Sequence, residues 1–239
     1  EKVRDRLVWD LALVNIAAGL DPEKVTLFVQ SHVPEHTELS WVFTTLTPLG
    51  DLTRMTQFKD KASKQETVWS GLLMYPVLQA ADILIYKADT VPVGEDQVQH
   101  IELTREIARR FNHLFGETFP EPQALLNPEA PRVPGIDGKA KMSKSLGNTI
   151  GLLEPEESIW QKIQHLPDDP QRIRLSDPGD PERTILFTYL SYFAPKDLVE
   201  ALKEEYRKAG VGTYVVKRIL FDHLMEALRP IRERAEALK

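Results

Sequence analysis

The sequence predicts an α/β protein with a parallel sheet covered by helices, followed by a C-terminal α-helical bundle. Two short apolar segments, 25–29 and 90–93, have the length and composition of buried strands and are separated by helical patterns. Strands and helices that alternate along a chain indicate a parallel sheet. After a loop at 131–151 that is rich in glycine and proline, only helical patterns follow, which predicts the bundle.

The predicted helices follow from apolar positions that repeat every three or four residues and from the residues that end them. The first ends at Gly19, Pro34 begins the second, and Pro48 breaks it. Pro76 lies inside the most apolar helix and predicts a kink there. In chain order the predicted helices cover residues 1–19, 34–47, 50–58, 67–86, 96–115, 155–166, 182–193, 195–208 and 212–239.

The change from alternating elements to helices alone predicts a domain boundary near residue 152. Residues 1–152 form the predicted sheet domain, which includes a cationic loop at 139–147, and residues 153–239 form the helical domain. The polar segment 59–64 is predicted to be a loop within the first domain.

Composition excludes several classes of protein. The 239 residues suffice for one large domain or two smaller ones, and no apolar run is long enough to span a membrane. The absence of cysteine excludes disulfides and cysteine-based zinc sites and predicts a cytoplasmic protein. The net charge of −6 argues against general affinity for nucleic acid, so any RNA contact requires a local basic patch.

The loop segment Lys141-Met-Ser-Lys-Ser145 combines two lysines with two hydroxyl side chains. It follows a run rich in glycine and proline, so it lies on a loop. A mobile loop that carries two ammonium groups and two hydroxyl donors suits a polyphosphate whose charge moves during a reaction. The alternative for such a segment by itself is a solvated basic turn.

A second candidate site is the segment Val91-Pro-Val-Gly-Glu-Asp-Gln97, where a predicted strand ends and a helix begins. Open parallel sheets bind ligands at this edge, and the N–H groups that begin a helix favour anions. Gly94 allows close approach of the backbone to a ligand. By itself the segment could also be an ordinary capped turn between a strand and a helix.

Together these segments resemble bacterial-type tryptophanyl-tRNA synthetases, which are class I aminoacyl-tRNA synthetases. The KMSKS loop matches in full, and the segments 50–61, 71–84, 91–105 and 228–232 are similar in the same order along nearly the whole chain. The resemblance implies a Rossmann-like catalytic domain and a helical domain that binds the tRNA anticodon. The family's first strand and its histidine and glycine signature do not occur in the sequence. Either a longer native chain supplies them in an N-terminal segment and the enzyme prediction stands, or they do not exist and no activity is expected. The resemblance also implies that the helical domain is incomplete at its C-terminus.

Asp82 carries an independent physical argument for the substrate. It lies in an almost wholly apolar helix, where a carboxylate needs a partner, and an indole offers one N–H donor to such an acceptor. An exposed aspartate, or one paired with an arginine, is the alternative. The resemblance implies that Asp82 accepts the indole N–H and that Tyr75 and Gln97 hold the amino group of tryptophan. The resemblance also places Gln57 among the residues that bind the substrate. It places Gln79 at the indole edge, where well-known relatives carry methionine.

The resemblance further implies an ATP site and a set of catalytic residues. The residues placed at ATP are Gly94, Glu95, Asp96, Val133, Lys141, Met142, Ser143, Lys144 and Ser145. Gly94, Glu95 and Asp96 line the adenosine, Val133 packs near the adenine, and the loop faces the phosphates. The residues placed in catalysis are Lys141, Ser143, Lys144 and, as a third ammonium, Lys61.

The sequence therefore predicts a tryptophan–tRNA ligase that uses ATP and Mg²⁺, acts on L-tryptophan and tRNA(Trp), and forms a cytoplasmic homodimer. The alternatives are a catalytically silent paralogue that binds tryptophan or RNA, a related nucleotidyltransferase with another acid substrate, and a helical scaffold protein. No dedicated metal site is predicted, because the pair His32 and His36 lacks an obvious third ligand. The run of Arg105, Arg109 and Arg110 predicts a solvated helix face, with tRNA contact as the alternative.

Overall fold

The structure of the protein is a computed structural model that describes residues 2–126, 133–139, 141–143, 146–174 and 176–239. Its helices are α1 (Lys2–Ala17), α2 (Glu35–Leu46), α3 (Leu49–Thr53), α4 (Thr56–Ala62), α5 (Ser70–Leu84), α6 (Val98–Phe115), α7 (Glu156–Gln164), α8 (Ile185–Phe193), α9 (Lys196–Arg207) and α10 (Thr213–Ala237). The strands are β1 (Thr90–Val93) and β2 (Gln123–Leu126). Short 3-10 helices occur at Gln30–His32, Glu95–Gln97 and Pro181–Arg183.

The chain forms two compact units. The sheet unit is Phe28–Pro131, and the bundle unit is Glu1–Leu27 together with Arg132–Lys239. These units differ from the predicted division at residue 152, because α1 joins the helices of the C-terminal part and so does the loop that follows Arg132. The division of the chain by function into 1–152 and 153–239 stays a prediction.

The sheet of the sheet unit confirms the predicted α/β class. Strands β1 and β2 are parallel, with Thr90 opposite Gln123 and Val93 opposite Leu126, and α6 connects them. The predicted bounds of β1 are confirmed, whereas β2 was not predicted. Its Gln-Ala-Leu-Leu sequence lacks the β-branched and aromatic residues that mark strands, so only pairing with β1 makes it extended.

The strand predicted over 25–29 is wrong. In the described part of the chain this segment joins no sheet, and Val25, Leu27 and Phe28 are 39, 45 and 43% exposed. An apolar run shows that a segment can be buried, but a strand exists only where a neighbouring strand offers its hydrogen-bonding edge.

The helix predicted over 50–58 is two helices, α3 and α4. Met55 between them leaves the helical conformation, with φ −57° and ψ 127°, and its side chain is buried. The predicted loop at 59–64 is also wrong, because α4 continues to Ala62. One turn apart, Asp60 and Lys64 form an ion pair of 2.7 Å that supports this helix end.

The core of the sheet unit lies between α2, α5 and α6. Phe43 of α2 is fully buried and packs edge-on against Phe111 and Phe119, with ring centroids 6.1 and 5.4 Å away. Helix α5 continues through Pro76, which is buried together with Val77, Ala80, Ala81, Ile83 and Leu84 in the C-terminal part of the helix. The buried residues of this core are Phe43, Leu52, Met55, Val77, Ala80, Ala81, Leu84, Leu103, Ile107 and Ala108.

The bundle unit buries the facing sides of α7, α8, α9 and α10. Its core contains Ile159, Ile163, Leu186, Leu190, Tyr206, Leu220 and Leu224. Arg234 of α10 donates to the carbonyl oxygen of Ala17 over 2.7 Å, which ties α1 to α10. Lys217 is buried and donates to the carbonyl oxygens of Gln164 and Leu166 at 2.9 Å, so it stabilises the end of α7. Among the described residues, no helix is both long and apolar enough to cross a membrane.

Candidate active site

Helix α5 presents three of the predicted site residues on one side. Tyr75, Gln79 and Asp82 are spaced four and three residues apart, which places them on one helical face. Gln79 is half-buried between the other two, at a position where its amide offers polar groups as well as packing area. The face therefore carries a hydroxyl, an amide and a carboxylate on a helix that is otherwise apolar.

Asp82 has partners from two other segments. The Gln30 Nε2 group donates to both carboxylate oxygens at 2.8 Å, and His36 Nδ1 lies 2.6 Å from Oδ1. The side chain of Asp82 is 34% exposed, whereas that of His36 is only 2% exposed. The need for a partner was thus predicted from the sequence, but the partners are a glutamine and a histidine instead of an arginine.

His36 also contacts an aromatic pair. Its Nε2 lies 2.8 Å from the Tyr86 hydroxyl, and the ring of Phe28 lies 5.7 Å from the rings of both His36 and Tyr86. Sequence reasoning considered His36 only as half of a metal pair with His32. Its spacing of seven residues from Phe43 on α2 was the signal that it faces the interior.

Tyr75 forms a second polar pair with His100, which sequence reasoning missed. The Tyr75 hydroxyl lies 2.8 Å from His100 Nε2, and the Lys61 ammonium lies 5.2 Å from the centre of the Tyr75 ring. Burial and, after it, the nearby charge of Lys61 lower the pKa of His100, while Asp96 partly opposes them. Burial also raises the pKa of Tyr75. The pair is therefore an uncharged phenol beside an uncharged imidazole at neutral pH.

The turn after β1 gathers two of the predicted glutamines around Asp96. Gln97 Nε2 donates to Asp96 Oδ2 at 2.8 Å, and Gln57 Nε2 donates to the same oxygen at 3.2 Å. Both amides thus present their nitrogen to Asp96, which leaves the carbonyl oxygen of each amide to accept from a ligand. A side chain at Gly94 would place its Cβ 2.9 Å from Asp96 Oδ1, so glycine keeps this turn compact.

The KMSKS loop belongs to the bundle unit, and its described residues are held by Asn148. Asn148 is buried, and its Oδ1 accepts from the backbone N–H of Ser143 at 2.7 Å. A Cβ at Gly135 would lie 2.0 Å from Asn148 Nδ2, so the loop closes around this amide only with glycine there. Lys141 is exposed. Sequence reasoning missed Asn148, and the predicted site residues Lys144 and Ser145 lie outside the described residues.

Two other predicted ATP residues of the bundle unit pack against its core. Val133 and Met142 are half-buried against the cluster of apolar side chains from α7 to α10, and the Met142 N–H donates to the Val133 carbonyl at 3.2 Å. This backbone hydrogen bond joins the segment at Val133 to the segment at Met142. Their apolar side chains therefore anchor the loop at its base.

The arginines of α6 are paired with acidic residues. Arg109 Nε donates to Glu121 at 2.9 Å, Arg105 contacts the same carboxylate at 3.3 Å, and Arg110 pairs with Asp51 at 2.7 Å. The hydrogen bond from Arg109 lowers the pKa of Glu121. The side chains of Arg105 and Arg110 are only 28 and 33% exposed, so acidic partners as well as solvent neutralise this helix face, which is less solvated than predicted.

Comparison with known proteins assigns the chain to a family. Residues 2–229 match the sequence model of the class I tRNA synthetases for tryptophan and tyrosine. The chain therefore belongs to this family. The fold and the two polar clusters on α5 described above lie within the matched range.

Three of the similar proteins are enzymes for tryptophan. The tryptophan–tRNA ligase of Deinococcus radiodurans is 59% identical over 231 residues, which cover 97% of this chain and 70% of that protein. The tryptophan–tRNA ligase of Thermotoga maritima is 46% identical over 228 residues, which cover 94% of this chain and 69% of that protein. Among solved structures, tryptophanyl-tRNA synthetase from Campylobacter jejuni, complexed with ADP and tryptophan, superimposes with a TM-score of 0.87 at 36% identity over 100% of this chain and 73% of that chain.

The lowered pKa of His100 predicts a loss of stability in mild acid. The unfolded chain binds a proton at this histidine near its ordinary pKa of about 6.5, whereas the folded protein does not. This contribution to stability is complete above about pH 6.5 and is lost as the pH falls toward the folded pKa. The denaturant midpoint of the wild type should therefore fall more steeply between about pH 7.5 and 5.5 than that of His100→Gln.

The matched control is His113→Gln, which removes an exposed histidine from the end of the same helix. Its midpoints should run parallel to those of the wild type. Parallel curves for His100→Gln as well would contradict a buried neutral imidazole at this position.

Proposed function

We propose that this chain joins tryptophan to its tRNA at the expense of ATP. The carboxylate of tryptophan attacks the α-phosphorus of ATP to give tryptophanyl-adenylate, and pyrophosphate leaves with the electrons of the broken P–O bond. A hydroxyl of the 3′-terminal ribose of tRNA(Trp) then attacks the carbonyl carbon of the adenylate and loses its proton; the ester forms, and AMP leaves with the electrons of the broken C–O bond. The hydrogen-bonded carboxylate of Asp82 on α5, in a chain that matches the family over 2–229, carries this proposal.

Relatives at up to 59% identity are tryptophan–tRNA ligases, and Asp82 in its apolar helix provides the acceptor that an indole N–H requires. These two observations support the ligase over a silent paralogue, a nucleotidyltransferase for another acid, or a scaffold protein.

Asp82 accepts the indole N–H, and the polar groups beside it hold the amino group of tryptophan. Because Tyr75 and His100 are both uncharged, the Tyr75 hydroxyl can donate to the imidazole and accept from the α-ammonium. The amide oxygens of Gln57 and Gln97 are further acceptors, since Asp96 engages both amide nitrogens. Gln79 lies beside the indole edge.

ATP binds where β1 ends and α6 begins, with Gly94, Glu95 and Asp96 at the adenosine. This edge of a parallel sheet and the N–H groups that begin a helix suit a nucleotide. The position of Val133 near the adenine stays a prediction from the sequence. Catalysis of the first step needs alignment and neutralisation of phosphate charge but no general base, because the substrate carboxylate is already a nucleophile.

The phosphate charge is neutralised by cations that the chain and the substrate supply together. Lys141 is an exposed ammonium group, Ser143 adds a hydroxyl, and Met142 anchors the loop that carries these two residues. Lys61 is an exposed ammonium group on α4. Lys144 and Ser145 complete this set as sequence-based predictions. Mg²⁺ enters with ATP as its counterion, since this ion favours phosphate oxygens and water over an all-protein cage.

We also propose a cytoplasmic homodimer whose helical part binds tRNA. Large apolar side chains of the sheet unit are exposed, among them Trp41 at 70%, Leu49 at 65% and Trp69 at 72%. Exposed apolar groups of this size are typical of surfaces that a partner covers. A second copy of the chain is the partner that the family resemblance implies.

Removal of the Asp82 carboxylate should reduce the preference for tryptophan. Sites built to hydrogen-bond a substrate group reject analogues that lack it by about 10⁴–10⁵. We expect kcat/KM in amino-acid-dependent pyrophosphate exchange to favour tryptophan over phenylalanine by this order in the wild type. Asp82→Ala should lose most of that preference, and Asp82→Asn much of it, because a neutral amide is the weaker acceptor.

Asp222→Ala, which removes an exposed aspartate from α10, is the matched control and should keep the wild-type preference. Tyrosine should remain a poor substrate of the wild type, since its hydroxyl lies at a different place on a smaller ring. If Asp82→Ala retains the wild-type preference within about fivefold, Asp82 does not read the indole.

Loss of the Lys141 ammonium should slow adenylate formation without weakening tryptophan binding. Charge develops on the pyrophosphate in the transition state, and one such contact is typically worth about 10²–10³ in rate. We expect kcat for pyrophosphate exchange to fall by this factor in Lys141→Ala while the Kd for tryptophan stays within about threefold. Lys139→Ala removes the same charge two residues away and should leave kcat unchanged; an equal effect of both substitutions would exclude a specific role for Lys141.

A further inference from the structure

The contact between His36 and Asp82 determines which atoms of the imidazole carry hydrogen. An ionised carboxylate only accepts hydrogen bonds, so Nδ1 of His36 must donate across the 2.6 Å contact with Asp82 Oδ1. In a neutral imidazole Nε2 is then an acceptor, and the Tyr86 hydroxyl 2.8 Å away donates to it. With His36 in this form the hydrogen bonds run from Tyr86 through His36 to Asp82.

The ring of His36 has little freedom to turn away from this contact. It is 2% exposed, it is held at both nitrogens, and Phe28 packs against it and against Tyr86. Gln30 is the second side chain that holds Asp82, and its Nε2 group contacts both oxygens of the carboxylate. The orientation of Asp82 is thus imposed by side chains 46 and 52 residues away in sequence.

These contacts engage the two oxygens of the carboxylate unequally. Gln30 Nε2 lies 2.8 Å from both oxygens, so it donates one bifurcated hydrogen bond between them. His36 adds a second donor at Oδ1 alone. Among the described side chains that contact Asp82, Oδ2 therefore has only the shared donor and keeps the greater capacity to accept a further hydrogen bond.

We infer that His36 is a positioning residue that determines specificity, because its contact with Oδ1 turns Asp82 so that the less engaged oxygen, Oδ2, meets the single N–H of an indole. This inference rests on the proposed role of Asp82 in the ligase. A carboxylate held in one orientation presents Oδ2 to one donor at one place. Without His36 the carboxylate can rotate and offer Oδ1 as well, so a ring without a matching N–H is rejected less strongly.

The test compares tryptophan with an analogue of nearly the same shape, 3-(benzothiophen-3-yl)alanine, in which sulfur replaces the indole N–H. The measured quantity is the ratio of kcat/KM for the two amino acids in pyrophosphate exchange by the full-length protein. Because hydrogen bonds to charged groups are the strong ones, we expect His36→Leu to lower this ratio by about tenfold or more. His36→Asn retains a donor near the Nδ1 position and should restore the ratio to within about threefold of the wild type.

Tyr86→Phe and His113→Leu complete the set of variants. Tyr86 is 55% exposed, so its substitution should leave folding intact and lower the ratio by at least about threefold through loss of the donor to Nε2. His113→Leu makes the same chemical change as His36→Leu at an exposed position of α6 and should leave the ratio unchanged. If His36→Leu does not fold, the ratio of kcat/KM measured with Tyr86→Phe tests the inference. A fall of about threefold or more supports the positioning role of His36, and a smaller change overturns it.

Asp82→Ala separates failure of this inference from failure of the proposed function. If Asp82→Ala loses the preference for tryptophan while His36→Leu and Tyr86→Phe keep it within about threefold, the positioning role of His36 is overturned and the ligase assignment stands. If Asp82→Ala also keeps the preference, the proposed role of Asp82 fails and the inference fails with it.

Discussion

A carboxylate that emerges from an apolar helix has to be hydrogen-bonded, and Asp82 meets this requirement with side chains from outside its own helix. Gln30 and His36 provide the donors, so the segment before α2 and the first turn of α2 are tied to the end of α5. The contacts that make the charge tolerable also orient it. The same hydrogen bonds therefore stabilise the Asp82 carboxylate and orient it for the indole of the proposed substrate.

The remaining site residues divide by charge according to their tasks. In the proposed function, recognition of the amino acid relies on neutral groups that burial keeps uncharged, as in the pair of Tyr75 and His100. The proposed neutralisation of phosphate charge relies on exposed ammonium groups such as Lys141, on a loop that Asn148 holds at its base. Neutral, fixed groups discriminate between substrates, whereas exposed cations on a loop can follow charge that moves during the reaction.

The sequence predicts the parts of the structure that depend on local patterns. The helices follow from apolar spacing and proline positions, and β1 was predicted with its observed bounds. Local patterns do not show which strands pair. For this reason the sequence does not predict β2, and the strand predicted at 25–29 is wrong. The site shows the same limit: the apolar surroundings of Asp82 predicted that it needs a partner, but its partners lie 46 and 52 residues away and only the folded chain brings them together.

The central claim is that Asp82 accepts the indole N–H of tryptophan, and proton NMR of bound tryptophan labelled with ¹⁵N at the indole nitrogen tests it most directly. A hydrogen bond to a carboxylate moves the N–H proton downfield and protects it from exchange with water. We predict a downfield, slowly exchanging indole proton in the complex with the wild type, and loss of both properties with Asp82→Ala. The same chemical shift and exchange rate in both complexes would contradict the claim.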